Sequence, residues 1–170
     1  TFVDKKKRQE NAKPPFTTST LQQACSLKFN FSAKKTMMLA QQLYEGVALG
    51  GEGNVGLITY MRTDSVRLSD EALEECREHI LNSFGKDYLP EKPNRYKAKK
   101  AAQEAHEAIR PSSLRRRPED LKPYLSTDQM KLYTLVWRRT VSSQMAPAQI
   151  AQTSVDISLD DSMLSTTGRE

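Results

Sequence analysis

The sequence predicts a mainly α-helical protein whose helical centre, residues 19–146, lies between extended segments at both ends. Apolar residues recur at helical spacing in the centre. Leu39, Leu43 and Val47, for example, are four residues apart and share one face of a predicted helix. Near the carboxyl end, residues 153–159 alternate between polar and apolar side chains, which is the pattern of a half-buried strand. A helical unit inserted between two strands of another domain has this order of elements.

Capping residues divide the centre into separate helices. Ser and Thr side chains accept hydrogen bonds from the free N–H groups of a first helical turn, so they mark where helices begin. The predicted helices run from Ser19 or Thr20 to about Lys28, from Ser32 to about Val47, from Ser69 to about Phe84, and from a Ser126–Gln129 capping box to about Ser143. Shorter helices are expected over residues 103–110 and 119–124.

Composition narrows the class of protein. The chain has 170 residues, a net charge of +5 and 37% hydrophobic residues, with a mean hydropathy of −0.67 and a sequence pI of about 9.2. These values fit a folded, water-soluble protein with a modest preference for a polyanionic partner. Cys25 and Cys76 form no C-x-x-C motif, which favours reduced, buried thiols. No apolar run is long enough for a membrane span.

The two ends of the chain favour a piece of a longer protein. The first residue is Thr1 rather than Met, and the last fifteen residues, "DISLDDSMLSTTGRE", have the character of a strand that continues beyond the chain. We therefore expect part of any active site to lie outside this sequence.

The stretch "GGEGNVG", residues 50–56, predicts a mobile loop after the second helix, because its glycines break helical structure. Gly51, Gly53 and Gly56 also have the G-x-G-x-x-G spacing of a dinucleotide-binding loop. That motif requires a strand before it and a helix after it. Here a helix precedes the glycines and a strand-like run follows them, so we reject a dinucleotide site.

The stretch "GLITYMRTDS", residues 56–65, places a tyrosine two positions before an arginine at the end of a short predicted strand. In an extended chain, Tyr60 and Arg62 point to the same face with their side-chain origins roughly 6–7 Å apart. A nearby cation favours the phenolate, and a guanidinium can bind two phosphate oxygens. The pair could therefore attack a phosphodiester. A packed tyrosine beside a solvated arginine explains the same residues.

The stretch "QEAHEAIRP", residues 103–111, contains the second candidate, His106. Imidazole titrates near neutral pH and can donate a proton or a hydrogen bond to a phosphate. On a helix, Arg110 lies at i+4 on the same face. Arg110 also stands where a zinc-protease H-E-x-x-H motif needs its second histidine, so we exclude zinc. A surface or capping histidine is the alternative. The basic clusters could follow a phosphate backbone or serve only loop solubility; they are Lys97, Lys99, Lys100 and Arg115, Arg116, Arg117.

Three motifs, in order, resemble those of bacterial type IA DNA topoisomerases. "GLITYMRTDS" is similar to their active-site tyrosine motif, "QEAHEAIRP" to their histidine motif, and "PPFTTSTLQQ", residues 14–23, to the segment leading into their helical domain. The resemblance covers nearly the whole chain and implies a central fragment that carries the active-site tyrosine. The implied fold is a helix-turn-helix-like helical domain, residues 19–146, inserted in a β arch domain whose entering segment is 1–18 and whose returning strand is 147–170.

The resemblance also implies roles for particular residues. Tyr60 would be the nucleophile that forms a 5′-phosphotyrosine link. Arg62 would bind and polarise the scissile phosphate, and His106 would assist beside it. The implied nucleic-acid contacts are Arg62, Asp64, His106 and Arg110, and no residue of this chain would bind a metal.

The implied activity is ATP-independent relaxation of supercoiled DNA by transient single-strand cleavage and strand passage. The expected partners are single-stranded segments of negatively supercoiled DNA and the remaining domains of the same enzyme, in the cytoplasm at the nucleoid. Magnesium is expected in the full enzyme, with its ligands in an acidic domain outside this chain, so the fragment alone should be inactive. The alternative is a non-catalytic, helix-turn-helix-type DNA-binding module, which would keep its function as Tyr60→Phe.

Overall fold

The computed structural model describes residues 1–97, 106–160 and 162–169. The elements in chain order are β1 (Phe2–Glu10), α1 (Thr18–Phe29), α2 (Ala33–Glu45), β2 (Val47–Ala48), β3 (Asn54–Val55), α3 (Asp70–Phe84), α4 (Thr127–Ser143), β4 (Ala148–Leu159) and β5 (Ser162–Arg169). They belong to two compact units. One unit comprises Thr1–Ala12 and Ala146–Glu170, and the other comprises Lys13–Met145. Among the described residues, no helix has the length and apolar character needed to cross a bilayer.

The first unit is a three-stranded antiparallel sheet with β4 in the centre, between β1 and β5. Phe2 pairs with Asp156 at one end of the β1–β4 ladder and Glu10 pairs with Ala148 at the other. The strands have nine, 12 and eight residues, which corrects the expectation of short β segments. The sequence of β1 is mainly charged and polar, so it lacks the apolar alternation by which a strand is recognised.

The second unit is helical, and its helices begin where local capping chemistry predicts. Ser32, Ser69 and Ser126 each accept a hydrogen bond from the first turn of α2, α3 and α4, respectively. The prediction for α1 was wrong by two or three residues. Its cap is Thr17, which forms a reciprocal capping box with Thr20.

The core of the helical unit lies between α1, α2 and α4. Leu21, Leu43 and Leu132 are fully buried there, one from each of these helices. Leu57 and Ile109 belong to the same cluster and are also fully buried. The tyrosine and histidine motifs therefore each supply a core residue, which fixes the polar residues beside it at the surface of the unit.

The helix predicted over residues 103–110 is wrong for the part that the structure describes. Residues 106–110 are extended, and Ile109 forms an isolated antiparallel bridge with Phe16. The reason is tertiary: Ala108 and Ile109 are fully buried, and their N–H groups donate to distant carbonyls rather than to a preceding helical turn. The rest of the predicted helix lies outside the described residues.

Two other expectations are corrected in the same unit. The helix predicted near residues 119–124 is a series of turns. The short strand predicted to end at Tyr60 is reduced to one bridge, between Ile58 and Pro111. The glycine-rich stretch contains a single 3-10 turn, Gly50–Glu52, between the two-residue strands β2 and β3. A two-residue strand precedes the glycines, but no helix begins in the described residues between them and Asp70, so the stretch lacks the strand–loop–helix order of a dinucleotide-binding loop.

Candidate active site

Burial alternates along the tyrosine motif from residue 60 to residue 65, as it does in an extended chain. The buried members are Met61, Thr63 and Ser65, and the exposed members are Tyr60, Arg62 and Asp64. Tyr60 retains 46% of its full exposure. The buried residues attach this segment to the helical unit, and the exposed set presents a phenol, a guanidinium and a carboxylate to solvent.

Thr18, the first residue of α1, holds the backbone just after Tyr60. Its hydroxyl group donates to the Met61 carbonyl at 2.7 Å and accepts from the Thr63 N–H at 2.9 Å. Its own N–H donates to the Thr63 carbonyl at 2.9 Å. The peptide on both sides of Arg62 is therefore attached to the first turn of a helix.

Thr59 holds the backbone just before Tyr60. Its N–H donates to the Arg110 carbonyl at 2.9 Å. Its hydroxyl group donates to the Ala108 carbonyl at 2.8 Å and accepts from the Arg110 N–H at 3.0 Å. One threonine side chain thus joins the tyrosine motif to the histidine motif. The two motifs are 46 residues apart in sequence when measured from Tyr60 to His106, and these bonds place them side by side.

Tyr44, near the end of α2, contacts the Tyr60 ring edge to face. The ring centroids are 5.4 Å apart and the ring planes meet at 65°, a favourable arrangement for two aromatic rings. Gly56 lets the backbone of the tyrosine motif lie close to the end of α2, because a Cβ atom there would lie 2.7 Å from the Tyr44 carbonyl oxygen. The aromatic contact therefore limits where the phenol can point.

The polar part of the histidine motif has one exposed residue and one internal ion pair. His106 is exposed. The Arg110 guanidinium is 2.8 Å from a Glu107 carboxylate oxygen and also donates to the Pro111 carbonyl at 3.0 Å. The other Glu107 oxygen accepts from the Ser69 N–H at 2.7 Å, at the start of α3. Glu107 therefore ties this motif to α3, and the Arg110 side chain is only 16% exposed.

Sequence reasoning singled out candidate reactive side chains and missed the residues that contact them. Thr18, Thr59, Tyr44 and Glu107 were not candidates, because their contacts join residues far apart in sequence. One local feature could have indicated such a residue: Thr59 precedes the candidate nucleophile Tyr60, and a threonine at that position can hydrogen-bond to a segment that crosses the motif. The helical face shared by His106 and Arg110 does not exist, since that stretch is extended.

Within residues 1–97, 106–160 and 162–169, no three His, Cys, Asp or Glu side chains cluster closely enough to hold a metal ion. Of the two described carboxylates in the tyrosine and histidine motifs, Glu107 binds Arg110 and the start of α3, and Asp64 is exposed and belongs to no such cluster. The described residues thus do not fit the role of a magnesium site, and no chemical step below is assigned to magnesium.

The helical unit, Lys13–Met145, thus carries an exposed tyrosine near an arginine, and it lies in sequence between the two segments of the sheet unit. The sequence model of the DNA topoisomerase family matches residues 1–170, and the chain belongs to this family. Among curated relatives, DNA topoisomerase 1 of Xylella fastidiosa strain Temecula1 is 58% identical over 158 residues. The protein of the same name from strain 9a5c is 57% identical over 158 residues.

A solved structure shares the fold along almost the whole chain. Full-length topoisomerase I from Thermotoga maritima superimposes with a TM-score of 0.81, at 41% identity and over 99% of this chain. The chain spans only 27% of that protein and 19% of the Xylella protein from strain Temecula1. The family of the chain is therefore established, while the activity of a whole enzyme remains to be inferred.

Proposed function

We propose that this chain is the tyrosine-bearing segment of a bacterial type IA DNA topoisomerase. The whole enzyme relaxes supercoiled DNA by cutting one strand, passing another strand through the break and rejoining the ends. The observation that carries the proposal is Tyr60: its ring is exposed, the backbone after it is hydrogen-bonded to Thr18, and Thr59 before it is hydrogen-bonded to Ala108 and Arg110. The relatives' names support the same activity.

In the proposed reaction, the phenol oxygen of Tyr60 attacks the phosphorus of one DNA phosphodiester. A bond forms between this oxygen and phosphorus, and the bond from phosphorus to the 3′ oxygen breaks. The phenol loses its proton and the departing 3′ oxygen gains one. The product is a 5′-phosphotyrosine with a free 3′ hydroxyl group, and the reverse reaction reseals the strand. One phosphate ester replaces another, so the cycle needs no ATP.

Arg62 is the residue that we assign to the scissile phosphate. Phosphoryl transfer depends mainly on positioning and on stabilising the charge of the non-bridging oxygens. A guanidinium does both, because it donates two parallel hydrogen bonds. Arg62 is exposed and lies in the same extended segment as Tyr60, so a bound phosphate can reach both side chains.

The other predicted contacts keep distinct roles in the proposal. His106, exposed at the start of the crossing segment, donates a hydrogen bond or a proton near the cleaved bond. Asp64 is exposed and orients neighbouring groups or the DNA. Arg110 is the least accessible of the set, and we assign its DNA contact to the part of the guanidinium that Glu107 leaves open.

The proposal also covers the domains, the metal and the substrate of the whole enzyme. The helical unit is the helix-turn-helix-like domain, and the three-stranded sheet belongs to an arch domain from which it is inserted. Magnesium, if the full enzyme uses it, binds acidic residues outside this chain. The substrate is the single-stranded portion of negatively supercoiled DNA, in the cytoplasm at the nucleoid.

The test traps the covalent intermediate. Full-length enzyme containing this chain is mixed with a 3′-labelled, single-stranded oligonucleotide, whose label lies on the fragment that stays joined to the tyrosine, and the reaction is stopped with denaturant. We expect the label on the peptide that contains Tyr60, no adduct with Tyr60→Phe, and a normal adduct with Tyr44→Phe. Label on another tyrosine would overturn the site assignment.

The same experiment separates the enzyme from a non-catalytic, helix-turn-helix-type DNA-binding module. Such a module binds the oligonucleotide equally well with tyrosine or phenylalanine at position 60 and forms no denaturant-resistant adduct. The exposure of Tyr60 supports the enzyme, because an exposed phenol can attack a phosphate.

A further inference from the structure

A second basic surface lies away from the candidate active site. It is a groove of about 680 Å³ between the end of α1, the turns that precede α4 and one face of α4. None of Tyr60, Arg62 and His106 lines it. Its described lining contains five cations and no acidic residue; the cations are Lys28, Lys122, Lys131, Arg138 and Arg139. We call this surface the α4 groove.

Three of these cations are available to a ligand. Lys28, Lys122 and Arg138 are exposed, and within the part of the chain that the structure describes no carboxylate pairs with them. The other two cations each have a partner within the chain. Lys131 is 3.5 Å from an Asp128 carboxylate oxygen, and the Arg139 guanidinium lies 4.1 Å from the centre of a phenylalanine ring. The α4 groove thus has a strongly cationic rim with at least three uncommitted charges.

The floor of the α4 groove is apolar. Leu135 is buried, and Leu125, Met130 and Phe29 are half-buried at the edge of the main core. The volume is within the range of small-molecule and cofactor pockets. An apolar floor beneath a cationic rim is the arrangement by which proteins bind single-stranded nucleic acid, because bases pack on the floor while phosphates meet the cations.

The spacing of the rim also fits a nucleic-acid strand. Lys131 and Arg138 are seven residues apart on α4, which is about 10 Å at 1.5 Å per residue. A stacked strand advances about 3.4 Å per nucleotide, so the face of α4 spans about three nucleotides. An acidic peptide would match the charge of the rim but has no bases to pack on the floor.

We propose that the α4 groove binds about three nucleotides of single-stranded DNA at a place distinct from the point of cleavage. The proposal rests on the proposed function, because that function brings a DNA strand to this protein. The α4 groove holds part of a strand while the tyrosine segment acts on another part of the DNA.

The first experiment measures the salt dependence of binding. Full-length protein carrying Tyr60→Phe, which cannot cleave, is titrated with fluorescent oligothymidylate at several salt concentrations. The added pair Lys122→Gln and Arg138→Gln removes two phosphate contacts. We expect the slope of log Kobs against log salt to become shallower by about 1.4, at about 0.7 per single-strand contact. The matched control is Lys34→Gln, an exposed lysine of α2 outside the groove.

The second experiment locates the ligand directly. Lysines of the same protein are acetylated with and without oligothymidylate, and the modified peptides are quantified by mass spectrometry. We expect the oligonucleotide to protect Lys28 and Lys122 several-fold and to leave Lys34 unchanged. A parallel sample contains a polyglutamate peptide instead, which should protect these lysines much less.

Three results would overturn the proposal. The salt slope could be the same with and without the Lys122→Gln and Arg138→Gln pair. Lys28 and Lys122 could be unreactive even without DNA, which would mean that another part of the protein covers the α4 groove. Polyglutamate could protect them while oligothymidylate does not, which would assign the groove to an acidic protein segment. Each result is independent of the adduct at Tyr60, whose absence would reject the proposed function while leaving binding at α4 measurable.

Discussion

At the residue scale, Tyr60 is held in position by hydrogen bonds that the residues on either side of it form. Thr18 bonds to the backbone after Tyr60, and Thr59, the residue before Tyr60, bonds to the backbone of the histidine motif. The edge-to-face contact with Tyr44 also restricts the orientation of the Tyr60 ring. Position and reactivity are therefore supplied by different residues, and they can be altered separately by mutation.

Arg62→Ala should reduce the rate of adduct formation by about 10²–10³-fold, the usual effect of removing one donor that stabilises developing negative charge. Arg62 is exposed, so the free energy of unfolding should change by less than about 0.5 kcal/mol. Single-turnover cleavage of a labelled oligonucleotide measures the first quantity and urea denaturation the second. Arg62→Lys should recover only part of the rate, because an ammonium group lacks the two-pronged geometry. An unchanged rate in Arg62→Ala would remove this residue from the mechanism.

Thr18→Val should slow cleavage at saturating oligonucleotide while leaving oligonucleotide affinity nearly unchanged. The substitution keeps the side-chain shape but leaves the Thr63 N–H and the Met61 carbonyl without their partner. An unpaired, buried polar group costs about 1–3 kcal/mol, which the folded state can relieve only by moving the backbone beside Tyr60.

The control for this prediction is Thr18→Ser, which retains the hydroxyl group and should restore the cleavage rate. If Thr18→Val lowers stability but cleaves normally, Thr18 is only a structural residue.

The sequence suggested candidate reactive residues but not the residues that hold them. Tyr60 and Arg62 are two positions apart in one short motif, so their spacing alone suggests a shared face. Thr18 bonds to residues 43 and 45 positions away, and Thr59 bonds to residues 49 and 51 positions away. No local pattern specifies such partners.

At the element scale, predictions that depend on local sequence were correct, and predictions for segments held by distant contacts were wrong. The starts of α2, α3 and α4 depend on a serine and the next three residues, so they were predicted correctly. The segment 106–110 was predicted as a helix because its residues favour helices individually. Its backbone instead bonds to distant segments, one of them at Phe16, and its apolar residues fill the core.

The buried faces of α1 and α3 each contain a thiol that resists ionisation. Burial raises the pKa of Cys25 to about 11 and that of Cys76 to about 12. In the unfolded chain both thiols ionise near pH 9. Between these values the unfolded state loses protons that the folded state keeps, so raising the pH favours unfolding.

We therefore expect the free energy of unfolding to fall as the pH rises from 9 to 10, by at most about 1.4 kcal/mol per pH unit for each thiol. Urea denaturation across this pH range measures the slope. Cys76→Ala should lower the stability at pH 8 but make the slope shallower. Equal slopes in the two proteins would show that the Cys76 thiol does not control this pH dependence.

At the scale of the whole molecule, the helical unit and the sheet were predictable to different degrees. Helical spacing and caps predicted a helical centre bounded by extended ends. The length of the sheet was not predictable, because β1 is mainly polar and its register depends on pairing with β4, more than 130 residues later. The similarity to full-length topoisomerase I from Thermotoga maritima covers 99% of the chain, so both units have counterparts in a solved relative.

The 170-residue chain by itself should bind oligothymidylate but form no covalent adduct with it. The described residues contain no cluster of metal-binding side chains, and the chain spans only about a fifth of the Xylella relatives. Full-length protein assayed in parallel should form the adduct. Cleavage by the isolated chain at a rate near that of the full-length protein would contradict this prediction.

The backbone bonds of Thr18 and Thr59 have a consequence for a cut DNA end under the proposed function. If Tyr60 forms the covalent link, that end is tethered to a peptide that α1 and the crossing segment keep in place. Its movement would then be confined to the reach of one aromatic side chain, and rejoining would require no diffusional search for the bound end.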